Sequence, residues 1–155
     1  MPAGERSAGG ETKVTVTPAP YHPGMTWPCL HISVAVERSP AEVASFAGDP
    51  ANLPAWAAGL SSGVRRSGDH WLADSPMGTV QVAFVGPVEL GILDHDVTLP
   101  DGTVVHTPLR VLRNDAGSEV VLTLYRRPGM SDTDLERDAA MVRADLERLR
   151  AVLER

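Results

Sequence analysis

A chain of 155 residues with a formal net charge of −6 has the size of one domain with its own core, and it lacks the basic stripe that a nucleic-acid groove needs to neutralise phosphates. Its single cysteine, Cys29, excludes an internal disulfide, and no apolar run approaches the ~18 residues of a membrane span. The 14 glycines and 13 prolines are densest in residues 1–28, which read as a Pro/Gly-rich N-terminal arm ahead of a domain over residues 29–155. With no basic leader followed by a hydrophobic stretch, a cytoplasmic location is expected.

In the arm, Lys13-Val14-Thr15-Val16-Thr17 alternates and could add an edge strand before prolines interrupt it. Tyr21, His22 and Trp27 suggest an arm packed along a sheet edge or cavity rim. Leu30 to Glu37 then alternates with period two, placing Leu30, Ile32, Val34 and Val36 on one face of a first core strand. Ser39-Pro40-Ala41-Glu42 is a capping box with proline at the first helical position, predicting a helix to about Ala47. Gly48-Asp49-Pro50 breaks it, and residues 51–57 predict a second short helix that ends at Gly59.

From Gly63 onward, short alternating segments at regular spacing predict an antiparallel meander. Strands are expected near Val64–Arg66, His70–Ala73, Thr79–Phe84, Gly91–Leu99, Thr103–Arg113 and Glu119–Arg126, for seven core strands in all. Asp101-Gly102 reads as a two-residue hairpin turn between the fifth and sixth. Ser131-Asp132-Thr133-Asp134 caps a final helix reaching Leu153, with Leu135, Ala139, Val142, Leu146, Leu149 and Leu153 in one apolar stripe. A coiled coil would also use such a stripe, but the preceding strands favour packing on the chain's own sheet.

This order, together with Asp49-Pro50-Ala51-Asn52-Leu53-Pro54-Ala55-Trp56, Gly91-Ile92-Leu93-Asp94-His95-Asp96-Val97 and Arg126-Arg127-Pro128-Gly129-Met130-Ser131, resembles the START-like or SRPBCC superfamily, which includes polyketide cyclase/dehydrases. The words are most similar to those of an uncharacterised actinobacterial subfamily, and the resemblance covers about residues 29–154. It implies an α+β helix-grip (START/Bet v 1-like) fold. A seven-stranded curved antiparallel sheet would wrap around the long C-terminal helix, with two short helices between strands one and two. A deep apolar cavity would lie between sheet and helix. It does not imply one reaction, since members carry lipids, bind hormones, cyclise polyketides or assist chaperones.

On the fifth strand, His95 shares a face with Leu93, Val97 and Leu99, so it is the candidate catalytic residue: it could donate to a ligand carbonyl or act as a general base, with burial keeping it neutral. Equally, it could be a buried histidine tied to a backbone carbonyl. Asp94 and Asp96 fall on the opposite face, where a cross-strand partner, Arg110, is expected. A bulge at Pro108 would turn His106 inward instead. Trp56 and Trp71 offer flat apolar surfaces with one donor each, near the cavity mouth. The expected ligand-binding set is Trp56, Trp71, Val80, Val82, Phe84, Leu93, His95, Thr107, Leu109, Leu122, Leu124, Val142 and Leu146, many of which would serve equally as core.

Neither the five histidines nor the lone cysteine shows metal-ligand spacing, and no glycine-rich phosphate loop or Gly-x-Ser-x-Gly elbow is present, so no metal and no cofactor are expected. The leading expectation is a binder of a hydrophobic small molecule, polyketide-like or lipid-like, acting as a monomer or homodimer without nucleic acid. The first alternative is a cyclase or dehydratase in which His95, with Thr107 or Tyr125, moves protons. The second is a protein-interaction module using exposed Leu112 or Val121.

Overall fold

The structure is a computed structural model that describes residues 24–60 and 62–155; the candidate strand Lys13–Thr17, with Tyr21 and His22, lies outside them. The first strand, β1 (Cys29–Val36), buries Leu30, Ile32, Val34 and Val36, the face that the alternation predicts. Helix α1 (Pro40–Ala47) starts in the predicted capping box: Glu42 N–H donates to Ser39 Oγ, and Ser39 N–H donates to Glu42 Oε2. Gly48 follows it as the C-cap, and the position admits only glycine because a Cβ there would lie 2.3 Å from Val88 Cγ1 and 2.7 Å from Ala44 O.

The second short helix is in fact three pieces: a 3-10 turn at Pro50–Asn52, helix α2 (Leu53–Trp56), and a 3-10 turn at Ala58–Leu60. Prolines at 50 and 54 fit first-turn positions but leave few amides to propagate a longer helix. Strands β2 (Val64–Ser67), β3 (His70–Ser75), β4 (Gly78–Phe84), β5 (His95–Thr98) and β6 (Val104–Thr107) form one antiparallel sheet in sequence order. Strands β7 (Leu109–Asn114) and β8 (Gly117–Tyr125) join β1 in a second sheet of order β1-β8-β7.

The sequence expectation of seven strands therefore becomes eight among the described residues, because the segment Thr103–Arg113 is divided at Pro108. The register nevertheless runs on: His95 pairs with Thr107 and Ile92 bridges Arg110, so Asp94 falls opposite Pro108 at a non-hydrogen-bonded position, and Pro108 turns its carbonyl to β8, where it accepts from Thr123 N–H. Alternation also runs on, with partly buried Val105 and Thr107 followed by buried Leu109 and Val111. Pro108 breaks the strand without flipping its faces, and His106 stays outside, where its Nδ1 lies 2.6 Å from Asp96 Oδ1.

The β5–β6 turn is also longer than the predicted Asp101-Gly102 pair. Leu99 N–H donates to Thr103 O and Gly102 N–H to Leu99 O, leaving a three-residue loop, Pro100–Gly102, with Gly102 at φ 88°. Proline at 100 fits the first central position of a type I turn, and glycine supplies the left-handed residue after it.

Helix α3 (Asp132–Leu153) is capped by Ser131, whose Oγ accepts from Asp134 N–H, and it packs on β1, β8 and α2. Its buried positions are Ala139, Leu146 and Leu149, flanked by partly buried Leu135, Val142 and Leu153; the predicted stripe is thus the face laid on the sheet. At about 33 Å, the helix spans the core from end to end. The end of the arm meets the same sheet: Arg126 N–H donates to Pro28 O, and the Trp27 ring stands edge-on to Tyr125 at 6.3 Å.

Candidate functional site

The split at Pro108 fixes the chemistry of the site. In an unbroken antiparallel ladder, Leu93 and Leu109 would exchange two hydrogen bonds. Leu93 N–H does donate to Leu109 O at 2.8 Å, but the return bond is absent: Leu109 N–H donates to Asp94 Oδ1 at 3.1 Å, and the Leu93 carbonyl accepts from His95 Nδ1 at 3.0 Å. Asp94 also receives Arg110 through Nε at 2.8 Å and Nη2 at 2.7 Å, the predicted partner in a bidentate pair. Arg110's hydrogen bonds hold the Asp94 carboxyl below the usual carboxylate range despite its burial.

Because a carbonyl can only accept, His95 Nδ1 must carry the proton, and Nε2 of the neutral ring is an acceptor. Burial pushes the His95 pKa down, which keeps the ring neutral, while the Leu93 carbonyl and the nearby Asp94 charge oppose this less strongly. The sequence reading in which His95 donates to a ligand carbonyl is corrected on this point: its one N–H is already used. The ring lies beside Phe84 at 5.5 Å between centroids.

His95 forms part of the wall of a cavity of about 100 Å³ between α2, the five-stranded sheet, β8 and α3. The wall is mostly apolar, with Leu53, Trp56 and Leu60 from the α2 region, Val82 and Val97 from the sheet, Leu122 from β8, and Val142, Asp145 and Leu146 from α3. Of the ligand-binding residues expected from sequence, Trp56, Val82, His95, Leu122, Val142 and Leu146 line it. The remaining seven do not. Trp71 and Val80 share the concave face through β3–β4, Phe84 and Thr107 are the cross-strand neighbours of His95, and Leu93, Leu109 and Leu124 pack in or beside the core.

Trp56 is also not a mouth residue: it is 4% exposed, and its indole Nε1 has no hydrogen-bond partner among the described residues. Sequence reasoning missed Leu53, Ala57, Leu60 and Asp145 as lining residues, and named Val97 only as a neighbour of His95 on the same face. The signal for Asp145 is its place between Val142 and Leu146 on the helix stripe. Its Oδ1 accepts from Ala58 N–H at 3.1 Å and from Arg148 Nη1 at 3.0 Å, while the same Arg148 nitrogen donates to Trp56 O at 2.8 Å. This fastening holds the α2 region down on α3 and closes one side of the cavity.

The expectation of a deep cavity is corrected in scale. About 100 Å³ is less than the ~150 Å³ of an engineered apolar void that takes benzene. Trp56 and Leu53, both buried, form part of the wall that bounds the cavity. Of the exposed apolar residues named for a protein interface, Leu112 is 50% exposed, whereas Val121 is partly buried, because it sits within β8 between β1 and β7. Among the described residues there is no cluster of metal-ligating side chains, and no helix is long and apolar enough to cross a membrane.

No protein-family model and no curated protein matches the sequence. Solved structures do. XoxI from Bacillus cereus superposes with a TM-score of 0.64 at 14% identity, over 81% of this chain and 95% of that one. CalU16 from Micromonospora echinospora gives 0.63 at 14% identity over 92% and 83%, and DynU16, a protein of the dynemicin biosynthetic locus, gives 0.62 at 18% identity over 81% of this chain and 47% of that one.

Proposed function

From a chain with the helix-grip, polyketide cyclase-like and Bet v 1-like fold, we propose a protein that binds a hydrophobic small molecule between its sheet and its C-terminal helix. The supporting observation is the mostly apolar cavity bounded by Trp56, Val82, His95, Val97 and Leu146, which sits where the sheet curls over α3. Filling it removes apolar surface from water at about 25 cal/mol per Å². Its size suits the end of an apolar chain; a ring or a folded poly-carbonyl chain fits only where the α2 region shifts outward. Native mass spectrometry of the purified protein tests the reading for a retained compound, and ¹H–¹⁵N spectra with added toluene test it for a small apolar probe. Shifts centred on Trp56, Ala57 and Leu60 support it; a chain that retains no compound and shows no shift with toluene overturns it.

One observation favours a second reading, proton transfer on a bound substrate. What supports it is that the His95 ring is held neutral by burial, bonded to Leu93 O through Nδ1 and part of the cavity wall, which leaves Nε2 as the unprotonated nitrogen a base needs. Thr107 and Tyr125, its expected helpers, are not in the wall. His95→Ala separates the two readings: a carrier keeps its affinity for toluene and has no turnover to lose, whereas an enzyme keeps binding and loses turnover of its substrate.

A further inference from the structure

We propose that the open side of β1 is a docking surface and that the chain's own segment Lys13–Thr17 is the strand that occupies it. β1 stands at the end of the order β1-β8-β7, so among the described residues only one of its two sides has a partner. The register identifies the groups left over. Arg126 N–H donates to Pro28 O and Thr123 N–H to Pro108 O, so the even-numbered residues of β8 bond toward β1 and the odd-numbered ones toward β7. On β1 the bonded positions are therefore Leu30, Ile32, Val34 and Val36, and the amides and carbonyls of Cys29, His31, Ser33 and Ala35 point away from the sheet. Glu37 continues that row, and its outward N–H is met by Glu154 Oε1 at 2.7 Å.

The edges of the two sheets are not guarded alike. β2, the first strand of the five-stranded sheet, has four residues and carries Arg65 and Arg66, the shortness and charge by which edge strands avoid further pairing. β1 has eight residues with no lysine, arginine or proline among them, which makes its edge a template for another strand. Outside the domain, the sequence holds a segment of matching character: Lys13-Val14-Thr15-Val16-Thr17 alternates and is β-branched at every position after the lysine. The connection Pro18–Pro28 is long enough to bring it back antiparallel, and the prolines at 18, 20, 23 and 28 keep that connection out of the ladder. With odd residues of both strands exchanging bonds, Val14 and Val16 fall beside Leu30, Ile32 and Val34, on the face that α3 packs against. Lys13, Thr15 and Thr17 then join His31 and Ser33 on the outer face, and a slip of one residue would reverse both assignments. A tether this short gives the chain's own segment an effective concentration of the order of millimolar, which favours it over the same segment of a second copy.

Amide hydrogen exchange, read by ¹H–¹⁵N spectra, tests this on the full chain and on two full-length variants. Thr15→Pro removes the middle N–H that the segment turns toward β1, whereas Thr15→Val keeps that N–H and the strand character. In the unaltered chain and in Thr15→Val, the amides of His31 and Ser33 are expected to exchange about tenfold more slowly than in Thr15→Pro, as befits an edge strand that opens locally. The amides of Leu30, Ile32 and Val34, bonded to β8, are expected to exchange alike in all three proteins, and the protection of His31 and Ser33 is expected to be independent of protein concentration. Equal exchange of His31 and Ser33 in the unaltered chain and in Thr15→Pro overturns the proposal. So does an equal acceleration of Leu30, Ile32 and Val34 in Thr15→Pro, which reports loosening of the whole domain. Protection that rises with protein concentration assigns the edge to a second copy and overturns its assignment to the chain's own segment.

Discussion

At His95, one backbone carbonyl decides what the ring can do. Leu93 O takes the Nδ1 proton, so the ring offers a lone pair and no N–H, and burial lowers its pKa below the ordinary value of about 6.5. A histidine harder to protonate when folded makes the unfolded chain the better proton binder, so its contribution to stability is complete above about pH 6.5 and is lost as pH falls toward the folded pKa. Urea unfolding should therefore show a loss of stability between pH 7 and pH 5.5 that is smaller in His95→Phe. Asp94 has the matching behaviour in acid: its pKa is depressed, chiefly by Arg110, so its contribution is complete above about pH 4 and is lost as pH falls through the folded value. Asp94→Ala leaves the Leu109 N–H and the Arg110 guanidinium without their acceptor. It should cost about 2 kcal/mol at pH 7 and flatten the acid limb of the stability profile, again measured with urea. The Asp94–Arg110 pair was legible in the sequence, because strand alternation puts both on one outer face. The Leu93–His95 bond was visible only as one of two options, since it depends on a ladder bond that Asp94 displaces by accepting from Leu109 N–H.

Elements were read correctly where a single period covers many residues. Alternation over Leu30–Val36 and a stripe from Leu135 to Leu153 each bury the predicted face. Where proline competes with periodicity the reading was too smooth: Pro108 splits one strand into β6 and β7, Pro50 and Pro54 turn one helix into three short pieces, and Pro100 lengthens a hairpin turn. The N-caps of α1 and α3 are as predicted, and removing the one on α3 with Ser131→Ala should cost about 1 kcal/mol by thermal or urea unfolding, without altering the cavity. The α2–α3 fastening has no sequence signal beyond an acidic residue inside an apolar stripe. Arg148→Ala breaks the donation to Trp56 O and the contact with Asp145, so the amides of Ala57 and Ala58 should exchange hydrogen faster while those of β1 do not change.

Across the whole molecule, core and cavity are one apolar mass, with Trp56, Val82, Leu122 and Leu146 belonging to both. This is why only six of the thirteen candidate residues line the cavity: the pattern of apolar positions finds the concave face, but which of its residues touch the void depends on tertiary packing that periodicity does not encode. Leu146, at 1% exposure, connects the two roles. Leu146→Ala should cost about 3 kcal/mol in unfolding experiments, and it should let the enlarged cavity accept butylbenzene in a toluene-displacement titration. If the cavity collapses around the smaller side chain, the stability loss will be smaller and butylbenzene will not bind.

The joint at Asp94 and Pro108 bears on how such a site can change over evolutionary time. Val82, His95 and Val97 stand on the five-stranded sheet, Leu122 stands on the three-stranded sheet, and one proline facing one carboxylate lies where the strand passes from the first to the second. That junction, though it joins the two sheets, contributes neither Asp94 nor Pro108 to the cavity wall. The connection between the sheets and the chemistry of the wall therefore rest on different residues, so a substitution at Asp94 or Pro108 leaves every wall side chain in the sequence unchanged.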